Sequence, residues 1–559
     1  MLEKSKEKYG EKPAFKFKTK TPNEFKTITY NKFIEDINCL GTKLIELGLE
    51  NKRIAIISDN RYEWCVAYLA VSTGTGIVVP LDKLLPANEI ESLLIRSEAE
   101  AIFYSEKYND IMAEIRKNGK TNLKEYISMD LKGNSKGILS QKELIRRGKK
   151  LLKKGNREFI DKKINNEEMS FMLFTSGTTA MSKAVMLSQK NICSNLMDIA
   201  AVIKLTPEDT LLSFLPLHHT FECTVGFLYP MYAGANIAFC DGLRHIADNI
   251  KEYKITAMIS VPILFENMYK KILKQIEKQG KLELVKKAMK VSSAVLKFNI
   301  DIREMLFKDI HENLGGKLRL LVSGGAALDK ETAEGFNSLG FNLYQGYGLT
   351  ETSPVIAAED DKYRKIGSIG KAFPSLEVKI IEQNEKGIGE LIVKGPTVML
   401  GYYNNEEATK NVIDEDGWFH TGDLGYIDNN GYIFICGRMK NVIVLKNGKN
   451  VYPEELENYI NKIEGIKESI VYGKPLANDE IDLKLCAKIV YDETKISEKF
   501  NLNEKDKIKE FIWEQIKEIN KTMPTYKYIK EIDVTNNELI KTTTQKVKRH
   551  EEIAKILGK

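Results

Sequence analysis

The sequence predicts an α/β protein: a large N-terminal domain of several subdomains with mostly parallel sheets, a β-rich subdomain, and a small α+β domain at the C-terminus. Three observations carry this. Short apolar runs alternate with amphipathic stretches through the first half of the chain, glycine-punctuated strands take over after Tyr363, and a mixed α/β tail begins near Met439. At 559 residues the chain is also too long for one compact core, so two or more domains are expected.

The elements follow in order. RIAIIS (Arg53–Ser58) reads as a buried strand and RYEWCVAYLAVS (Arg61–Ser72) as a helix; GIVVPL (Gly76–Leu81) reads as the next strand, the stretch after Pro86 as a second helix, and AIFYS (Ala101–Ser105) as a third strand. That rhythm favours a parallel sheet covered by helices. It resumes with FMLFTS, LLSFLPL, NIAFC, AMISVP and LRLLVSGG. Between Ile263 and Asn313 lies a lysine-rich helical region in which Leu273, Ile276, Leu282, Val285 and Met289 recur at helical spacing. Its lysines, among them Lys270, Lys274, Lys286, Lys287 and Lys290, form either a solvated face or a surface that touches anionic lipid. In GYIDNNGYIFICGR, Asn429–Asn430–Gly431 marks a hairpin. VYPEELENYINKI reads as a helix begun by proline and capped by acids. The domain boundary is placed at Arg438–Lys440, giving domains of residues 1–438 and 439–559.

Composition removes several function classes. With 43% apolar and 29% charged residues the chain has the balance of a soluble globular protein. A net charge of +6, with acids interspersed among the lysines, argues against nucleic acid as a partner. The seven cysteines are scattered without a CxxC pair, which suits free thiols in a reducing cytosol better than disulfides or a zinc site. The N-terminal MLEKSKEKYGEKPAFKF has no apolar core, so no secretory signal is read there. No apolar run approaches the roughly 18 residues that cross a bilayer. The expected location is the cytoplasm, with peripheral membrane contact as a further expectation.

Four segments carry chemistry. LFTSGTTAMSKAVML (Leu173–Leu187) runs from a buried strand into small hydroxyl and glycine residues and then a lysine. Such a loop offers backbone N–H groups, hydroxyls and a cation to a polyphosphate, although the Walker A spacing is missing. In YQGYGLTETSP (Tyr344–Pro354), Gly346 and Gly348 permit close backbone approach to a ligand. Glu351 there is a candidate Mg²⁺ ligand, because Mg²⁺ commonly joins one carboxylate to substrate phosphates. In GWFHTGDLG (Gly417–Gly425), Asp423 is placed either to accept both ribose hydroxyls or to serve a turn. KTTTQKVKRH (Lys541–His550) would on its own be a solvated basic tail.

Their order along one chain says more than each alone. SGTT, LPLHHTFE, VSGGAAL, YGLTE, HTGD, GRMK and a lysine near the end together resemble the adenylate-forming superfamily of acyl-CoA synthetases, adenylation domains and luciferases, from about Thr29 to Arg549. HHTFE (His218–Glu222), the helical insert before RLLVSGGAAL, and GRMKNVIVLKNGKNVYPEELE make the long-chain fatty acid CoA ligases the most similar branch. The resemblance implies activation of a carboxylic acid by ATP with Mg²⁺, pyrophosphate release, and transfer of the acyl group to coenzyme A. It also implies that the small C-terminal domain is mobile.

Residue by residue, the resemblance makes Thr175, Ser176, Gly177, Thr178, Thr179 and Lys183 the phosphate loop. Gly324, Gly325 and Ala326 with Tyr344, Gln345, Gly346, Tyr347 and Gly348 enclose the adenine and line the acyl channel. Thr350 and Glu351 stand beside the α-phosphate and the metal, with Thr178 a second residue near the metal. Asp423 and Arg438 contact the ribose, Lys546 bridges the attacking carboxylate and the α-phosphate, Lys440 is the hinge, and Gly448 lets a pantetheine arm pass. His219 orients the acid or is a core histidine. The chain departs from the family at Ala180 and Ala184, where glycine is usual, at Ser182 and Ile540, where proline is, and at Gln545, the usual glycine before the lysine. Extra Cβ atoms restrict a loop that folds over phosphates, so slow turnover is one expectation. Alternatives to a fatty acyl-CoA ligase are a ligase that loads a carrier protein or takes an aryl acid, and a non-catalytic nucleotide or lipid binder.

Overall fold

The computed structural model describes residues 1–558 apart from residues 20, 22, 23, 176–181, 297, 299, 447, 477, 478 and 542–546, and apart from the side chains of 479–482. The chain divides into two compact units. Among the described residues the first comprises Met1–Thr175, Ser182–Glu377 and Val393–Phe419; the second comprises Val378–Ile392 and the chain from His420 onward.

Two sheets build the first unit. The inner strands of one are Ile77–Pro80, Arg53–Ile57, Ala101–Tyr104 and Glu125–Ser128, all parallel to their neighbours. Ile54–Ile57 and Ala101–Tyr104 are buried on both faces, which is why these runs read as unbroken apolar stretches. Helices Tyr62–Ala70 and Ala87–Arg96 make the crossovers. At the other edge Met169–Thr175 pairs parallel with Ile77–Pro80 and then antiparallel with Lys183–Ser188, whose far side carries Gly401–Tyr402. The second sheet runs parallel from Asn342–Gly348 through Leu320–Ser323, Ala257–Ser260, Thr210–Ser213 and Asn236–Phe239 to Pro13–Lys18, with antiparallel strands at both edges. Phe265, Phe336 and Phe341 seal its helical side.

Antiparallel pairing dominates the second unit. Strands Phe419–Ile427 and Ile433–Arg438 form the hairpin expected at Asn429–Asn430–Gly431, with Gly431 at φ +80° in the turn. The helix read from VYPEELENYINKI spans Pro453–Ile460, with proline in its first turn. Beyond it, Ile466–Leu476, Asp479–Tyr491 and Glu531–Thr535 form a three-stranded sheet. Helix Lys505–Lys521 closes that sheet through Ile508, Ile512 and Ile516, buried at a spacing of four. The Arg549 guanidinium grips both carboxylate oxygens of Glu457, at 2.5 and 2.6 Å. Arg549 also donates to the Val471 carbonyl at 2.9 Å.

The seven cysteines are unpaired thiols. Among the described residues no helix is long and apolar enough to cross a membrane.

Candidate active site

The strand pair Met169–Thr175 and Lys183–Ser188 positions the loop predicted to hold phosphates. Thr175 faces Lys183 across the ladder, and its hydroxyl donates to the Lys183 carbonyl at 3.4 Å. Ser176, Gly177, Thr178, Thr179 and Ala180 lie outside the described residues. Just beyond them Ser182 is held by Arg96, the last residue of helix Ala87–Arg96. One guanidinium nitrogen donates to Ser182 Oγ at 3.1 Å and another to its carbonyl, while the guanidinium sits 5.4 Å from the Phe174 ring.

Lys183 leads to the next predicted residue. Its ammonium lies 4.6 Å from the centre of the Tyr402 ring, and the Tyr402 hydroxyl donates to Glu351 Oε1 at 2.9 Å. Pairing of Tyr402 with Val185 fixes the ring there. A cation on the open face of an aromatic ring and a carboxylate at its hydroxyl place opposite charges at the two ends of one side chain. Glu351 itself rides on the short turn Thr350–Thr352 after strand Asn342–Gly348. The strand can bend this closely because Gly348 has no side chain: a Cβ would lie 1.8 Å from the Pro354 carbonyl oxygen.

HHTFE meets this turn from the other side, with the Thr220 and Thr350 hydroxyls 3.4 Å apart. The Phe221 N–H donates to His219 Nδ1 at 3.4 Å, which leaves Nε2 to carry the proton of a neutral ring. The neighbouring His218 Nε2 is 3.6 Å from Asp82. The Phe221 ring also packs on Gly324, where a Cβ would come within 2.8 Å of it. Gly325 follows at φ +84°, a conformation that favours glycine. Ser323 faces Gln345 in the sheet, so Gly324, Gly325 and Ala326 and the run Gln345–Gly346–Tyr347–Gly348 leave adjacent strand ends together. Ligands of open α/β sheets bind at the carboxyl ends of strands.

Two buried carboxyls that sequence reasoning did not single out hold this edge. Glu359 accepts the Gln345 N–H at 3.0 Å and the Lys365 N–H at 3.1 Å, and burial pushes its carboxyl up to about 7. Glu222, only 1% exposed, accepts the Ser213 hydroxyl at 2.7 Å, and burial pushes it up to about 8. Asn60 donates to Ser213 Oγ at 3.0 Å and to the Leu215 carbonyl at 2.7 Å, tying Glu222 to the LPLHH turn. A carboxyl whose folded pKa exceeds its unfolded value costs the protein stability as pH rises from the unfolded value toward the folded one. Glu222→Gln is therefore expected to melt like the parent near pH 5. At pH 8.5 it should be roughly 2–4 kcal/mol more stable. Denaturant midpoints at the two pH values test this; a difference independent of pH would show that Glu222 is not protonated in the fold.

In the second unit Asp423 faces Arg438 across the hairpin, and Arg438 Nε meets Asp423 Oδ1 at 2.7 Å. Asp423 is 4% exposed, and its N–H is held by Thr421 Oγ1 at 3.0 Å. The two residues assigned to the ribose thus form one unit of structure. Lys440 lies exposed in the turn Met439–Asn441 immediately after that hairpin. Gly448 takes φ +74° with nothing within 4 Å of where a Cβ would stand. Lys546 and Gln545 lie outside the described residues; the flanking Lys541 and Val547 bridge each other, and the Lys548 N–H donates to Ile540 O at 2.7 Å.

The donor set fits a Mg²⁺ that enters with a nucleotide. Among the described residues no three His, Cys, Asp or Glu side chains are grouped to hold an ion by themselves. A single carboxylate, Glu351, is presented in the same cluster as Lys183, and Mg²⁺ bound mainly by phosphate and water needs no more. Tyr402 and Arg96 escaped sequence reading. GYY at 401–403 was the only local trace of the first, and nothing near Arg96 distinguishes it from a helix-ending cation.

Comparison with known proteins agrees over most of the chain. A family model described as AMP-binding enzyme matches residues 2–403, and one described as AMP-binding enzyme C-terminal domain matches 440–555. Long-chain-fatty-acid–CoA ligase 5 of Rattus norvegicus is 30% identical over 488 residues, 81% of this chain and 70% of that protein. Fatty acyl-CoA synthetase B of Dictyostelium discoideum is 30% identical over 84% of this chain and 74% of its own. The crystal structure of ATP-bound MatB from Rhodopseudomonas palustris shares the fold, with a TM-score of 0.76 at 24% identity over 98% of this chain and 97% of that one. Sequence motifs, fold and family models coincide: the chain belongs to the AMP-binding enzyme family.

Proposed function

We propose that this chain is a fatty acid–CoA ligase acting on medium- or long-chain acids. The observation that carries the site assignment is the cluster Lys183–Tyr402–Glu351, which presents a cation and a carboxylate beside the end of the phosphate loop. The family's chemistry is ATP-dependent activation of an acid followed by thioesterification to CoA. A carboxylate oxygen of the acid attacks the α-phosphorus of ATP and pyrophosphate leaves; the CoA thiol then attacks the acyl carbonyl and AMP leaves.

Carboxylate attack on ATP brings two anions together, so positive charge must be supplied where negative charge accumulates. Lys183 and the Thr175–Thr179 loop take the phosphates, and Thr350 takes the α-phosphate. Glu351 and Thr178 would hold Mg²⁺, which neutralises phosphate charge when bound. Gly324, Gly325, Ala326 and Gln345–Gly348 receive the adenine, Asp423 and Arg438 the ribose. His219 orients the acid, and Lys546 bridges it to the α-phosphate. Between the two steps Lys546 must leave and the thiol must enter, so the C-terminal part turns about Lys440 and the pantetheine arm passes Gly448. The preference for a fatty acid rests on the similar ligases named above and on HHTFE, whose following residues Cys223, Val225 and Phe227 are buried and apolar.

The test is carboxylate-dependent pyrophosphate release with ATP and Mg²⁺ across acids from acetate to oleate, with and without CoA. Release that peaks with long acids and yields a CoA thioester is the expected result. Turnover only with a carrier protein or an aryl acid would replace this reading, and tight ATP binding without release would mean a non-catalytic binder.

A further inference from the structure

We propose that the outer face of helix Leu282–Leu296, together with the exposed side chains of Phe298, Ile300 and Met305, docks on an anionic lipid bilayer. Six of the 21 exposed large apolar residues that the structure describes fall between Leu284 and Leu306. Leu284, Val291, Phe298, Ile300 and Met305 are 54–78% exposed. Monomeric proteins seldom leave apolar groups this densely grouped in water unless something covers them.

Helical spacing explains why Leu284 and Val291 point outward. Val285, Ala288 and Met289 pack on the core and Ser292 donates to the Ser338 carbonyl at 3.2 Å, so the opposite side of the helix is free. Leu284 and Val291, seven apart, align along one margin of that side. Lys286, Lys287 and Lys290 occupy the rest of it and are exposed. Lys286 has a carboxylate at 3.6 Å, that of Glu283. Lys287 and Lys290 have none within ion-pair distance among the described residues. An apolar margin flanked by unneutralised cations is complementary to a surface that is negative outside and apolar beneath. The helix would lie in the interface with its lysines at the headgroups. A second copy of the chain would present the same cations to each other, and an acidic protein would leave the bare Phe298, Ile300 and Met305 unexplained.

The assignment is independent of which acid the enzyme activates. The full chain is floated with vesicles of phosphatidylcholine containing 30% phosphatidylglycerol, and with vesicles of phosphatidylcholine alone. Binding to the anionic vesicles, release at high salt, and little binding to the neutral ones are expected. Lys286→Glu/Lys287→Glu/Lys290→Glu should weaken binding by about 10²-fold or more, and Leu284→Asp/Val291→Asp by about tenfold. Pyrophosphate release with a short, water-soluble acid should stay at the parent level in both variants, which confirms that they fold. The milder Lys287→Gln/Lys290→Gln variant, expected to lose about tenfold, serves if charge reversal impairs folding. Equal binding to both vesicle types, or undiminished binding by the lysine variants, overturns the proposal. So does a parent dimer that Val291→Asp converts to monomer while vesicle binding persists, which would make the face a subunit contact.

Discussion

Lys546→Ala is expected to lower carboxylate-dependent pyrophosphate release by about 10²–10³-fold, the usual loss when one preorganised group facing developing charge is removed. The attacking carboxylate and the α-phosphate repel each other until a cation stands between them, and no other residue assigned to that position carries positive charge. CoA attack on a preformed acyl-adenylate makes no such demand, because the thiol adds to a neutral acyl carbonyl and the proposed turn about Lys440 has by then carried Lys546 away from the phosphate. The variant should therefore consume synthetic acyl-adenylate and CoA at a rate within a few-fold of the parent. Measuring both half-reactions by rapid quench separates the outcomes. Equal loss in both would assign Lys546 a structural role, and no loss in either would remove it from the site.

Glu351→Gln is expected to lower the same first step by about 10²-fold or more and to raise the Mg²⁺ concentration needed for half-maximal rate. The substitution keeps the size of the side chain and an oxygen for the Tyr402 hydroxyl at 2.9 Å, so it removes charge with little else. Tyr402→Phe is the companion variant. It keeps the ring under Lys183 and loses one neutral-to-charged hydrogen bond, worth about 1.5–3 kcal/mol, with an unchanged Mg²⁺ requirement. If the Mg²⁺ titrations of Glu351→Gln and parent overlay, the carboxylate serves Tyr402 and Lys183 rather than a metal.

How much of this was legible beforehand depends on the range of the interaction. Arg53–Ile57, Ala101–Tyr104 and the Phe419–Arg438 hairpin were readable because burial on two faces leaves an unbroken apolar run and a tight turn demands particular residues at particular places. Helix Pro453–Ile460 announced itself through its first turn. The site was legible as a set of segments through the order of its motifs. What joins the segments was not. Tyr402 reaches Glu351 across 51 residues and Arg96 reaches Ser182 across 86, and no local pattern encodes such a meeting. Glu222 was visible as a letter of HHTFE, but its raised pKa arises from the wall around it, which only packing supplies.

The clasp between Arg96 and Ser182 bears on how this loop differs from its relatives. A proline there would stiffen the exit of the loop by covalent means, at every salt concentration and whatever the rest of the chain does. Serine has no such stiffness, and here it is borrowed from a guanidinium at the end of helix Ala87–Arg96. Borrowed stiffness can be called in. Anything that loosens that helix, or screens or replaces its terminal cation, also loosens the strand that carries Lys183. The exit of the segment read as a phosphate loop is thereby tied at Ser182 to the fold of the first sheet, and substitutions in helix Ala87–Arg96 are expected to be read out as a change in ATP affinity.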